Sequence, residues 1–262
     1  MIRDITLGQY YSGDSVIHRL DPRTKLLWTF LFLISLFIED NLWYMLGLAV
    51  LVMIYIMLSK VPLEYMVKGL KPVWFLVAFS VIMNLFSGGG EALFTFWKIK
   101  ITNEGMHHAI LIGMRMIMMV LGSSVMTYTT KPTDLADGLE SSLKWLSIFK
   151  VPVHDLAMMM SIALRFIPVL TEELNRIMKA QAARGMDFSK AKWKDKLKAI
   201  LPILIPMFVS AVKRAEELAF AMEARCYQGG VGRTRMYPLK RRFSDYCFIV
   251  GAWGILIAGI LI

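Results

Sequence analysis

Uncharged apolar runs separated by short charged turns dominate the first half of the chain. Leu26–Ile38 carries no charge and stops at Glu39-Asp40-Asn41, and Leu42–Ser59 stops at Lys60-Val61-Pro62. Pro72–Gly90, Ala109–Thr130 (interrupted only by Arg115) and Tyr246–Ile262 complete the set. A helix needs about 20 residues to cross a bilayer. The four later runs reach or approach that length; the first does so if Thr24 and Lys25 extend the helix and the lysine snorkels to the interface. Several runs are apolar on every face, which requires lipid as the solvent. The pattern predicts an all-α integral membrane protein with about five transmembrane helices.

Residues between the fourth and fifth spans have a different character. Pro132-Thr133-Asp134 is a helix-start signal opening an amphipathic stretch, Thr133–Leu146. Val151–Arg184 reads as one long helix interrupted at Pro168, and Trp193–Arg225 as another carrying Pro202 and Pro206, with Asp187-Phe188-Ser189 between them. Each has an apolar first half (Leu156–Leu170, Ile200–Val212) and a charged second half. Such a helix lies against or partly enters the membrane and then emerges as a polar arm. The expected organisation is a lead-in and four spans over 1–130, long cytoplasmic coupling helices over 131–242, and a last span over 243–262. The two arms echo each other weakly: Ile167-Pro168, Glu172-Glu173-Leu174 and Ala183-Arg184-Gly185 in one, Ile205-Pro206, Glu216-Glu217-Leu218 and Ala224-Arg225-Cys226 in the other. Chance similarity between amphipathic helices is the alternative.

Composition agrees: 56% of the 262 residues are hydrophobic and the mean hydropathy is +0.54, above an ordinary soluble domain. The formal charge is +10, and Lys179–Arg242 carries the whole excess, with 15 of the 30 Lys+Arg and 5 of the 20 Asp+Glu. A basic surface can meet nucleic acid, anionic lipid or an acidic protein, but on a membrane protein it first reflects the positive-inside bias. Loop charge alternates from the basic lead-in to the acidic Glu39-Asp40 turn, the basic Lys60–Lys71 loop, the balanced 91–107 loop and the basic stretch from Lys131 to Arg242. This predicts a cytoplasmic N-terminus, cytoplasmic coupling helices and an outside C-terminus in the cell membrane. The N-terminus lacks the pattern of a cleaved signal peptide, so the first span is expected to direct insertion. Cys226 and Cys247 are the only cysteines, and no disulfide is expected.

Each arm ends in an Ala-Arg tip followed by helix-breaking residues: Ala183-Arg184-Gly185 and Ala224-Arg225-Cys226. Small residues let the helix end approach another surface, and a guanidinium offers forked donors to carboxylates or carbonyls. For either arginine alone, complementing the helix dipole is explanation enough; two tips on two long arms point to docking. Gly8-Gln9-Tyr10, Asp14-Ser15 and His18-Arg19-Leu20-Asp21-Pro22-Arg23-Thr24-Lys25, together with these tips, resemble the transmembrane T component of energy-coupling factor (ECF) vitamin importers over nearly the full length. The resemblance implies a membrane subunit joining two ATP-binding cassette ATPases to one or more substrate-binding S components, with one tip seated on each ATPase. Cys226 departs from the family's glycine, which puts the local helix-end geometry in question.

Other features are weaker. Met114, Met116, Met118, Met119 and Met158-Met159-Met160 fit apolar filling or an adaptable surface for several S components. Arg115 within a span calls for a partner, an ion pair being the ordinary one. His107-His108 reads as interfacial, and Asp134, Asp137 and Glu140 as a solvated helix face. Gly229-Gly230-Val231-Gly232-Arg233-Thr234 lacks the P-loop lysine, so ATP hydrolysis is expected from partners. No cofactor or metal motif is evident. The alternatives are a membrane-anchored protein binding nucleic acid or anionic lipid through its basic segment, a membrane enzyme, or a permease acting unaided; aromatic interleaving for nucleic acid is thin (Trp193, Tyr227, Tyr237).

Overall fold

A computed structural model describes residues 10–87, 92–96, 99–185, 193–229 and 239–261. They divide into two compact units, one drawn from 8–142 and 238–262 and the other from 143–237.

In the first unit, α1 (Pro22–Ile38) starts where Asp21 accepts the Arg23 N–H and Pro22 occupies the first turn, a position where a missing donor costs nothing. Asn41 caps α2 (Leu42–Ser59) in the same way, through the Trp43 N–H. The expected loop from Lys60 to Lys71 is instead largely helical: α3 (Leu63–Leu70) bends by 59° into α4 (Trp74–Ser87), at Lys71-Pro72. The region read as a balanced loop holds a small antiparallel hairpin, β1 (Ala92–Phe96) with β2 (Ile99–Thr102), leading straight into α5 (Asn103–Thr129). The unit closes with α6 (Pro132–Ser142) and α9 (Phe243–Leu261). Apart from the hairpin the described structure is helical, as an all-α membrane protein requires. Helices α2, α5, α7 (Val153–Ala183) and α9 are long and apolar enough to cross a membrane, and the bent α3–α4 pair is a fifth candidate. Helix α1 has 17 residues and does take in Thr24 and Lys25.

The core lies where α1, α2, α5 and α9 meet. Trp28 packs on Phe32 and Tyr55, with centroids 5.3 and 4.1 Å away. Gly122 on α5 admits the Phe32 ring, since a Cβ there would sit 2.5 Å from it. Gly259 on α9 admits Tyr44 in the same manner, and the Tyr44 hydroxyl donates to the Ile255 carbonyl at 3.1 Å. The opposite face of α2 is equally apolar but uncovered: Trp43, Val50 and Met57 are 80, 61 and 70% exposed, against 0–2% for Met45, Leu48 and Val52. A helix apolar on both its packed and its open face is one whose open face meets hydrocarbon. Arg115 finds its partner in the acidic turn, pairing with Asp40 while its guanidinium lies 5.4 Å from the Phe37 ring.

In the second unit a 3-10 turn (Lys144–Phe149) precedes α7, and α8 (Trp193–Ala224) follows. Neither long helix is interrupted; both run through their prolines. The amphipathic stretch expected to reach Leu146 ends as α-helix at Ser142.

Because Phe32 is 2% exposed, its ring has no room to swing away from an added methyl. Gly122→Ala is expected to cost about 1–3 kcal/mol through overpacking, seen as a lower thermal unfolding midpoint in detergent. A midpoint equal to the parent's would show that α1 and α5 can separate freely.

A candidate coupling site at two matched helix ends

The two arm tips end in the same way. In α8, the Cys226 N–H donates to the Glu223 carbonyl at 2.8 Å and the Tyr227 N–H reaches back to Met222 at 3.0 Å. This is the paired bonding of a Schellman cap, with Arg225 as the last half-helical residue and Cys226 in the left-handed position. In α7 the Arg184 N–H is shared between Ala180 and Gln181, at 3.3 and 3.1 Å, and the Gly185 N–H donates to Ala182 at 3.0 Å. The second bond of that cap would fall at Met186, outside the described residues. Gly185 has φ +85° and Cys226 φ +55°. Cys226 therefore adopts the turn that glycine makes in the other arm, although a Cβ there costs about 1–2 kcal/mol. Ala183, Arg184, Gly185, Ala224, Arg225 and Cys226 are all exposed.

The arms run antiparallel. Arg214 reaches Glu173 at 3.7 Å, and the Gln181 side-chain amide donates to the Pro202 carbonyl at 3.3 Å. That carbonyl would normally accept from the residue four further on, which is Pro206 and has no N–H, so the neighbouring arm supplies the donor. In α7, Thr171 Oγ donates to the Ile167 carbonyl at 2.7 Å, one turn beyond Pro168. Between the arms is an apolar groove of about 290 Å³ lined by Ile162, Phe166, Leu170, Leu218 and Met222. Arg184 follows Glu173 by eleven residues, and Arg225 follows Arg214 by eleven. At a 1.5 Å rise each tip stands about 16 Å along its helix from the ion pair, at opposite ends of the antiparallel pair.

Tyr10 and the residues from Asp14 to Lys25 are described; Gly8-Gln9 lie outside the described residues. Arg19 forks onto Asp14 at 2.8 and 2.6 Å, and that guanidinium holds the Asp14 carboxyl below its ordinary value. His18 donates from Nε2 to the Tyr11 carbonyl at 3.0 Å, leaving Nδ1 to accept from Ser15 at 2.7 Å. Burial lowers its pKa. The Tyr11 N–H donates to the Tyr128 carbonyl at 2.9 Å and Lys25 Nζ to the Thr129 carbonyl at 2.8 Å. Lys25 is 2% exposed, so it does not snorkel. Asp245, which the sequence did not single out, accepts the Asp21 N–H on one oxygen at 2.9 Å and the Arg242 N–H on the other at 2.6 Å. Gly138 was also missed; it lies against Pro22 so closely that a Cβ would stand 2.8 Å from the proline Cβ.

Of the methionines, Met118 is buried, with Met114 and Met119 packed on the same core, whereas Met159 and Met160 are 54 and 42% exposed. The α5 group is filling; the α7 group faces out.

Several long apolar helices with lipid-type surfaces define a multi-pass membrane protein, and its second unit pairs two long antiparallel helices with similar ends. The family model described as CbiQ, cobalt transport protein, matches residues 13–238. The energy-coupling factor transporter transmembrane protein EcfT of Ruminiclostridium cellulolyticum is 45% identical over 250 residues, covering 95% of this chain and 93% of its own. The protein of the same description from Clostridium kluyveri is 46% identical over 248 residues, 94 and 92% of the two chains, and that of Listeria innocua 41% over 252, 95% of each. The chain belongs to the family of transmembrane T components of ECF transporters.

The helix-end strain gives a direct test. Cys226→Gly is expected to stabilise the α8 terminus by about 1 kcal/mol, slowing hydrogen exchange at the Cys226 and Tyr227 amide positions about fivefold. Gly185→Val should speed exchange at the α7 end. Unchanged rates in both would mean the left-handed turns are not populated in solution.

Proposed function

We propose that this chain is the non-catalytic coupling subunit of an ECF-type importer, joining two ATP-binding cassette ATPases to one or more S components for uptake of vitamins or other micronutrients. The observation that carries the reading is the pair of exposed arginine ends, each followed by a left-handed residue and each eleven residues from the Glu173–Arg214 contact. Two equivalent docking points suit two related partners. Residues 183–185 engage one ATPase and residues 224–226 the other. The stretch 131–242 works in the cytoplasm, where the positive-inside bias of its charge places it, between the spans of 1–130 and the last span of 243–262.

An S component is the apolar partner in this scheme. Met159, Met160, Leu204, Ile205 and Phe208 are all exposed on α7 and α8, a surface needing either lipid or a hydrophobic protein. Exposed methionine suits a subunit that serves several partners, because the thioether repacks readily. When the ATPases close on ATP, the tips move with them and the continuous helices carry that displacement to the membrane-apposed halves. The substrate is chosen by the S component. Binding of nucleic acid is not favoured, since the basic charge is explained by topology and by the tips.

Reversing the tip charges tests the reading. Arg184→Glu and Arg225→Glu are each expected to weaken recovery of the ATPases in a mild-detergent pull-down, and the double variant to lose them and to abolish ATP-driven uptake. A double variant that still assembles and transports at the parental rate would sink it.

A further inference from the structure

We propose that the lead-in segment Tyr11–Lys25, with Gly138 and Asp245, is a positioning node that fixes α6 and the start of α9, the elements next to the two points where the chain leaves and re-enters the span unit, so that arm movement is not absorbed in those elements. The inference rests on the coupling role proposed above.

The chain leaves the first unit after Ser142 and returns to it at Pro238. On the outgoing side, the lead-in takes two of the carbonyls that the end of α5 leaves unpaired, Tyr128 through the Tyr11 N–H and Thr129 through Lys25. A few residues later α6 is seated on the first turn of α1, with Gly138 over Pro22. The obstacle to any side chain at 138 is a rigid proline ring and the Pro22 carbonyl carbon, 3.3 Å from the same Cβ position, so α6 cannot carry one without moving. On the returning side, Asp245 uses one oxygen to cap its own helix at Arg242 and the other to hold Asp21 at the start of α1. One stretch of fifteen residues, Tyr11 to Lys25, thus grips the chain on its way out and on its way back.

The chemistry of the grip argues for more than capping. Asp21, Lys25 and Asp245 are 6, 2 and 1% exposed. A serine or asparagine caps a helix without burying a charge, whereas buried ionised groups pay a desolvation penalty that good geometry only partly repays. What such groups supply instead is a fixed arrangement: besides their local caps, Lys25 reaches 104 residues along the chain to Thr129 and Asp245 reaches 224 residues back to Asp21, and these bonds are directional. The elements they join, α1, α5 and α9, are the ones that form the core of the span unit.

The test uses the whole complex, purified from the membrane with its ATPases and a co-expressed riboflavin-binding S component, in liposomes, with riboflavin as the probe. Gly138→Ala and Asp245→Asn are expected to retain both ATPases and to hydrolyse ATP within about twofold of the parent, while riboflavin taken up per ATP falls at least tenfold. Adding Pro22→Gly to Gly138→Ala removes the clashing Cβ and should restore most of that ratio. An unchanged ratio in both assembled variants would overturn the proposal, and so would variants recovered only as misassembled protein without ATPases, because that outcome marks a folding role alone. The tip variants separate this from the coupling role itself: Arg184→Glu with Arg225→Glu should lose the ATPases, which the node variants keep.

Discussion

The structure depends on one constraint: at the end of a helix bordering hydrocarbon, each carbonyl or N–H must find its partner within the protein. Water cannot be relied on there, and the cost of an unmet group is of the order of a kilocalorie or more. The end of α5 meets this with a backbone N–H from Tyr11 and an ammonium from Lys25, the latter also complementing the negative end of the dipole. The starts of α1 and α9 share a single carboxylate, Asp245. Tyr128 extends the same logic sideways, its hydroxyl donating to the Tyr65 carbonyl on α3 at 3.1 Å. Because each solution uses a group from another element, satisfying the ends also fixes how the helices are arranged.

The arms obey this constraint in a different setting. Two prolines four residues apart in α8 leave the Pro202 carbonyl without its usual donor, and Gln181 of α7 supplies one. The helices stay continuous, and the defect becomes a cross-link between them. At the tips the chain closes its own last turn, through the left-handed residue at each helix end. Closing the turn without outside help leaves Arg184 and Arg225 exposed and available to another molecule.

Much of this was legible in the sequence because it depends on composition and period. Charge-free runs between Asn41 and Lys60 and beyond Asp245 mark α2 and α9, and the Ala-Arg tips announce themselves by position on long helices. What could not be read were contacts between distant residues. Lys25 looked like a snorkelling lysine because nothing local distinguishes that from a lysine buried against a carbonyl 104 residues away. Asp245 drew no notice in the sequence, because one of its bonds spans 224 residues. Gly138 was missed because its close approach to Pro22 is a contact between distant elements. The prolines misled in the opposite direction: proline predicts interruption, yet α7 and α8 run through theirs, with Gln181 supplying the donor that Pro206 lacks.

Cys226 shows how far equivalence between the arms extends. Their sequences differ at this residue, yet the two chains turn the same way. In α8 the turn is held by the two cap bonds of Cys226 and Tyr227, each worth about a kilocalorie, which together match the expected cost of a Cβ in the left-handed region. Glycine is therefore sufficient but not required at this place. What both tips share is an arginine at the helix C-cap followed by a residue in the left-handed region, which ends the α-helical path directly after the guanidinium.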